Sequence, residues 1–257
     1  MKPLNPKITD WRGRSVWLIG ASTGIGEALA RELSALGARL MLSARNADRL
    51  SQLARELPGA LILPLDISRS EALQPSAQEV ERLLGRLDVV VFNAGTYQPL
   101  RAWELTPQNI RATLEVNLLG VMDGVAAVLP AMLAAGQGHL VIVGSVAGYR
   151  GLPKAAVYGP SKAALINFAE SIWLDLAPRG VAVSLVNPGF VATPLTAQND
   201  FRMPALISAH EAATQILAGL ARGEFEIHFP KRFSRFLKLL RLLPARLYFA
   251  LVSRTAR

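Results

Sequence analysis

The apolar run Val16-Trp17-Leu18-Ile19 leads straight into Gly20-Ala21-Ser22-Thr23-Gly24-Ile25-Gly26, and a helix-like stretch, Glu27 to Leu36, follows. Gly37 stops that helix, and Ala38 to Ser43 reads as a second strand. Strand, glycine turn, helix and strand within about thirty residues is the context a dinucleotide site demands. Gly20 permits the tight turn, and Gly26 lets the helix pack closely on the sheet. Gly24 lets a pyrophosphate approach the backbone at the helix N-terminus, where free N–H groups and the helix dipole favour anions.

The alternation continues down the chain. Ala47 to Leu57 reads as a helix and Ala60 to Leu65 as a strand ending in Asp66. Ser70 to Leu84 is helical, with Pro75 its one candidate interruption, and Asp88 to Phe92 is a strand ending in Asn93-Ala94-Gly95. Thr106 caps a helix with Pro107 at its first position, running to about Leu133. Leu140 to Val143 is a strand with Gly144-Ser145 at its carboxyl end. A helix opens at Tyr158 and ends near Ala177, and Val181 to Val186 is a strand before Asn187-Pro188-Gly189. Ala209 to Leu220 is helical, and Phe225 to Phe229 is a last strand. Strands separated by helices predict an α/β fold with a parallel, doubly wound sheet, whose ligands bind at the carboxyl ends of the strands. With no internal repeat and no low-complexity linker, the chain reads as one domain over 1–229 and a tail over 230–257.

The 257 residues hold no cysteine, which excludes a disulfide framework and thiolate metal sites. His139, His210 and His228 lie too far apart for metal-ligand spacing. Met1 to Arg14 has no apolar core, so no signal peptide is expected. No stretch reaches eighteen uncharged apolar residues, so no membrane span is expected either, and the expectation is a cytoplasmic protein. Net charge is +9, and Ile227 to Arg257 holds eight Lys or Arg and no acid, which leaves +1 for everything before it. A basic tail on a neutral body argues against a nucleic-acid-binding fold.

Tyr158-Gly159-Pro160-Ser161-Lys162 places a phenol and an ammonium four residues apart, on one face if the segment is helical. A free tyrosine has a pKa of about 10 and is a poor base at neutral pH, and a nearby cation favours its phenolate. Pro160 fits only if it falls in the first turn of that helix.

These motifs together resemble the short-chain dehydrogenase/reductase family, in its shorter single-domain branch, over roughly Gly13 to Thr193. The spacing Gly20, Gly24, Gly26 is Gly-x-x-x-Gly-x-Gly, as in that branch. Asn93-Ala94-Gly95 matches the family's Asn-Ala-Gly element, Ser145 precedes Tyr158 by thirteen residues, and Pro188-Gly189 with Thr193 matches Pro-Gly-x-x-x-Thr. The resemblance implies that Tyr158 is the proton donor and acceptor at the substrate oxygen. It implies that Lys162 lowers the Tyr158 pKa and bonds the nicotinamide ribose, and that Ser145 donates to the substrate carbonyl. Asn117 matches the helix asparagine that supports a water-linked proton path from the lysine. The implied cofactor contacts come from Gly20, Ser22, Thr23, Gly24, Ile25 and Gly26, from Asn93, Ala94 and Gly95, from Tyr158 and Lys162, and from Pro188, Gly189, Val191 and Thr193. Asp66 and Ile67 flank the adenine in this reading. Ile19 stands where the family often has Thr. Family members are commonly dimers or tetramers, so a homo-oligomer is the expectation by analogy.

Cofactor choice has a physical argument of its own. A carboxylate after the second strand would bond the ribose hydroxyls of NAD and repel a phosphate. Ser43-Ala44-Arg45 stands there instead, and Arg45 can fork onto a 2′-phosphate, so NADP(H) is expected over NAD(H). Phe190, Leu195, Phe201, Met203, Leu206 and Ile207 make the loop over the site apolar, which suits a hydrophobic carbonyl or alcohol as much as packing of the lid.

Lys231 to Leu243 has the pattern of a basic amphipathic helix. Phe233, Phe236, Leu237, Leu240 and Leu243 share one face, Ser234, Arg235, Lys238 and Arg241 another, and Pro244 ends it before Leu247 to Val252. It reads either as a contact with an anionic membrane surface or as a helix packed on its own domain or a partner subunit. The function expected is a carbonyl–alcohol oxidoreductase. The rivals are a catalytically idle NADP(H) sensor and a membrane-associated interaction protein on the same fold.

Overall fold

A computed structural model describes residues 2–199, 201 and 203–253. Seven strands form one parallel sheet in the order β3-β2-β1-β4-β5-β6-β7: β1 (Ser15–Ile19), β2 (Arg39–Ser43), β3 (Leu61–Ile62), β4 (Val89–Phe92), β5 (Gly138–Val143), β6 (Val181–Pro188) and β7 (Glu226–Phe229). Helices α1 (Gly24–Ala35), α2 (Ala47–Glu56), α3 (Ser70–Leu84), α4 (Pro107–Leu114), α5 (Gly120–Ala135), α6 (Tyr158–Leu176) and α7 (Ala209–Arg222) cover both faces.

The central strands are buried on both sides, which is why they read as unbroken apolar runs. Side chains alternate between two cores with period two. Trp17, Ile19, Val90, Phe92, Leu140 and Ile142 enter one core, and Val16, Leu18, Val89, Val91, Val141 and Val143 enter the other. Phe92 is fully buried, a burial that stabilises by roughly 1.5–3 kcal/mol. Its ring leaves no room on α5, where a Cβ on Gly124 would stand 2.5 Å from the ring edge.

Several local expectations change. Pairing beyond β3 continues only as Leu63 N–H to Leu42 O and Leu65 N–H to Ala44 O, with Pro64 between them lacking a donor. Helix α3 runs unbroken through Pro75. Pro75 and Glu71, whose carbonyl it leaves unbonded, are both exposed, so water can meet that carbonyl. The helix that opens at Thr106 and Pro107 reaches Ala135 but widens into a π-type turn over Glu115–Leu119, with Gly120 N–H bonding Glu115 O. This 29-residue run has an 18-residue window of mean hydropathy 1.9, enough by length and composition to cross a membrane. In the structure Val121, Val125, Val128 and Met132 turn into the core beside the sheet.

The tail divides at Pro244, as its pattern indicates, into α8 (Lys231–Arg241) and α9 (Ala245–Val252). The face turned inward differs from the apolar face read from sequence. Phe233 and Leu237 do pack against the core. The fully buried residue, however, is Ser234, whose hydroxyl meets His228 Nδ1 at 2.6 Å, and Lys238 turns in to pair with Glu226. Phe236 and Leu239 point to solvent, 55% and 61% exposed. Strand β7 explains this: it presents Glu226 and His228 to α8, and these need polar partners. Arg150 then holds the end of α8, donating to the carbonyls of Leu240, Arg241 and Leu243 at 3.0, 3.1 and 2.7 Å while lying 3.9 Å over the Tyr248 ring. Met1 and two of the tail's cations, Arg254 and Arg257, lie outside the described residues.

Candidate active site

Neighbouring strands β1 and β4 lead their chains to opposite sides of the sheet, and a cleft of about 650 Å³ opens above their carboxyl ends. Its floor is the turn before α1. A Cβ on Gly20 would stand 2.4 Å from the Ala94 nitrogen, and one on Gly24 2.8 Å from the Thr193 methyl. One on Gly26 would stand 2.0 Å from the Gly20 oxygen, so only glycine fits all three places. Asn93 Nδ2 donates to Gly20 O at 2.7 Å and ties this turn to the end of β4. Thr23 provides no side-chain cap for α1, whereas Asn46, Thr106 and Ser208 cap α2, α4 and α7. The first N–H groups of α1 are therefore open to an anion in the cleft. The glycine cradle, the uncapped helix and the volume of the cleft fit a dinucleotide.

Tyr158, Ser145 and Lys162 share one wall. Ser145 follows β5 beside the Tyr158 phenol, and its Oγ accepts from Ala147 N–H at 3.1 Å. Tyr158 is the first residue of α6, so Pro160 falls in the first turn, where a missing N–H costs nothing. Lys162 lies one turn on, 4% exposed, and donates to Val143 O at 3.0 Å. Its ammonium is 5.7 Å from the Tyr158 ring centroid. Burial pushes the phenol up to about 12, against the lowering effect of the neighbouring Ser145 hydroxyl, and Tyr97, edge-on at 4.9 Å, adds to the rise. Burial also lowers Lys162 to about 8. Desolvation is the largest cause of both shifts.

Asn117 is fully buried behind this wall, in the wide turn. It accepts from Thr96 N–H at 2.7 Å and donates to Thr96 O at 2.9 Å and Ser161 Oγ at 3.3 Å. Its amide thus fixes the loop after β4.

At the far end Arg45 is exposed and lines the cleft with Asp66 and Ile67. Burial would raise the Asp66 carboxyl, but hydrogen bonds from Ser68 and the charges of Arg45 and Arg69 leave it lowered. On the opposite rim lie Pro188, Gly189, Val191 and Thr193, with Val191 pinned by a bridge to Ile207. Ser22, Thr23, Ile25 and Gly95 line the same cleft. Of the residues expected at the site, only Gly26 and Asn117 do not reach its surface.

Sequence reasoning missed three contributors. Val143 acts through a backbone carbonyl, which no side chain advertises. Tyr97 sits in an irregular loop and bonds Asn199 Oδ1 at 2.8 Å. Thr196 lines the cleft and donates to Val191 O, and its only mark in the sequence is its place three residues after Thr193.

The model of the short chain dehydrogenase family matches residues 14–203. A protein of Myxococcus xanthus described as an uncharacterized oxidoreductase is 36% identical over 245 residues, 94% of this chain and 97% of that one. A short chain dehydrogenase from Burkholderia cenocepacia in complex with NADP superposes with a TM-score of 0.84 at 25% identity, covering 95% and 99% of the two chains. One from Burkholderia phymatum in complex with NAD does so with the same TM-score at 23% identity, covering 90% and 94%, and shows the fold alone. A match of that extent, on a chain whose cleft is built from the same motifs, makes this protein a member of the short chain dehydrogenase family and an oxidoreductase using a nicotinamide cofactor.

Proposed function

We propose that this protein is an NADP(H)-dependent reductase of hydrophobic aldehydes or ketones, acting through Tyr158. The observation that carries the reading is the convergence of Ser145, Tyr158 and Lys162 on one wall of the cleft. A bound nicotinamide dinucleotide supplies the hydride that reaches the carbonyl carbon. Ser145 Oγ holds the substrate oxygen and stabilises the charge that develops there. Tyr158 gives that oxygen its proton; a phenol raised to about 12 carries the proton throughout the neutral range, which suits reduction. Lys162, at about 8, is mostly cationic at neutral pH and would hold the ribose hydroxyls and offset charge on the tyrosinate left behind. Arg45 is the residue for a 2′-phosphate, with no carboxylate at the end of β2 to oppose it. Leu195 in the cleft and the edge-on pair Phe190–Phe201 at 5.7 Å favour an apolar substrate. A homo-oligomer is part of this reading, supported by the exposed Leu119, Met122 and Leu174.

An idle sensor or an interaction protein would need neither the buried lysine nor its bond to the end of β5. NADPH oxidation against aldehydes and ketones of graded chain length tests the proposal. Turnover should rise with apolar chain length, and Tyr158→Phe should bind NADPH yet turn over about a hundredfold more slowly or worse. Near-normal turnover by that variant removes Tyr158 from the chemistry.

A further inference from the structure

The cations of the tail fall into two groups that face opposite ways. Lys231 pairs with Glu224 at 3.5 Å and Lys238 with Glu226, so both lysines fasten α8 to the body. Arg232, Arg235 and Arg246 are exposed, and among the described residues none has a carboxylate within ion-pair distance; Arg241 lies a turn beyond Lys238 on the inner side, where its charge acts on the Tyr149 phenol. The carbonyls at the end of α8 are taken by Arg150 from the body, so these arginines are not needed there.

The apolar side chains divide in the same way. Phe233, Leu237 and Tyr248 go inward. Phe236, Leu239, Leu242, Leu247, Phe249 and Leu251 remain 47–79% exposed, six large apolar groups within sixteen residues. A patch of that kind, rimmed by cations, marks an interaction surface.

We infer that the outer face of α8 and α9 lies on an anionic lipid bilayer. Three unpaired guanidiniums, Arg232, Arg235 and Arg246, have the fork geometry that matches lipid phosphates, and the six apolar groups among them need a hydrocarbon boundary to cover them. A nucleic acid would engage the arginines and leave the apolar groups in water. The helices lie flat: α8 has 11 residues, about 16 Å of helix, against a hydrocarbon core of about 30 Å. The bonds of Lys238 and Arg150 fix which face is outward, so the surface exists before it meets lipid. The inference does not depend on the reaction, because binding can be read without turnover.

The test is co-sedimentation of the full chain with vesicles of phosphatidylcholine containing about 30% phosphatidylglycerol, an anionic fraction sufficient to attract basic segments. Binding is expected there, with about tenfold less on pure phosphatidylcholine and a comparable loss in about 1 M salt, where the screening length falls to about 3 Å. The pair Phe236→Ser with Leu239→Ser, and separately Arg232→Gln with Arg235→Gln, should each weaken binding about tenfold or more. Neither pair touches the body, so the melting temperature should stay unchanged. Equal binding to neutral and anionic vesicles, or full binding by both variants, overturns the inference. So does light scattering that shows the Ser pair splitting an oligomer of a wild type that ignores vesicles, since a second copy then covers this face.

Discussion

The Lys162 ammonium donates to the carbonyl of Val143, so the last residue of β5 anchors the wall of the cleft that carries Tyr158. Within two residues of that carbonyl the chain reaches Ser145. One backbone group therefore sets the lysine and, through the next peptide units, the serine.

A pH prediction follows from the lysine. Its folded pKa is about 8, below the ordinary 10.5, because it is buried. Reduction should decline as pH rises through about 8 and the cation is lost, and Lys162→Met should lack that limb and be slower throughout. Stability has the opposite sign. Between about 8 and 10.5 the unfolded chain holds more protons than the folded one, so this residue's contribution grows with pH. Rate–pH profiles beside denaturant melts check both halves, and a joint loss of activity and stability above pH 8 counts against the assignment.

Cofactor preference should rest on Arg45. Arg45→Ala is expected to weaken NADPH about ten- to a hundredfold, the size of one charge-assisted bond, and to leave NADH nearly unchanged. Fluorescence titration of both cofactors decides it, and equal weakening of the two would show that Arg45 holds something other than the phosphate.

Acid should destabilise the fold through two histidines. Burial lowers His139, bonded to Ser184 Oγ at 2.9 Å, to about 4; burial first, then the charges of Lys238 and Lys231, does the same to His228. With folded values below 6.5, the unfolded chain binds more protons between pH 6.5 and 4. Stability is therefore lost as pH falls through that window. For the almost fully buried His139 the loss approaches about 3 kcal/mol. His139→Gln should flatten the acid limb of a stability–pH curve measured by urea unfolding.

Arg150→Ala should loosen the tail. It removes three bonds to carbonyls and the stacking over Tyr248. A loss of about 1–3 kcal/mol is expected, at about 2–4 °C of melting temperature for each kcal/mol. Because Tyr149 also bonds Glu226 at 2.6 Å, and the Phe190 ring packs tilted against Phe233 at 5.8 Å, KM should rise as well. A drop in melting temperature with unchanged KM would separate the tail from the site.

Much of this was legible beforehand because the constraints were local. Glycines at the end of β1 have steric reasons to be glycine, and each polar cluster fell where a strand gave way to a loop. The phase of one helix placed Tyr158 and Lys162 on a common wall. What escaped depended on distant chain. The inward face of α8 is chosen by Glu226 and His228 on β7, not by its own apolar count. The raised phenol reflects desolvation in the assembled wall, and a pairwise reading of phenol and ammonium contains no desolvation.

The widened turn at Glu115–Leu119 also sets a rotational offset between its flanks. Each added residue advances a helix by about 100° around its axis. Helix α5 must present Gly120 to the Ile67 carbonyl and Gly124 to Phe92, while Asn117 must face Thr96 and Ser161. A regular helix cannot satisfy both orientations; the surplus residue does. Shortening the segment by one residue would swing α5 by over a quarter of a circle and drive a side chain into Phe92. Here the spare residue works as a gear tooth between the core and the wall of the cleft, and the chain should tolerate indels in its surface loops far better than at this point.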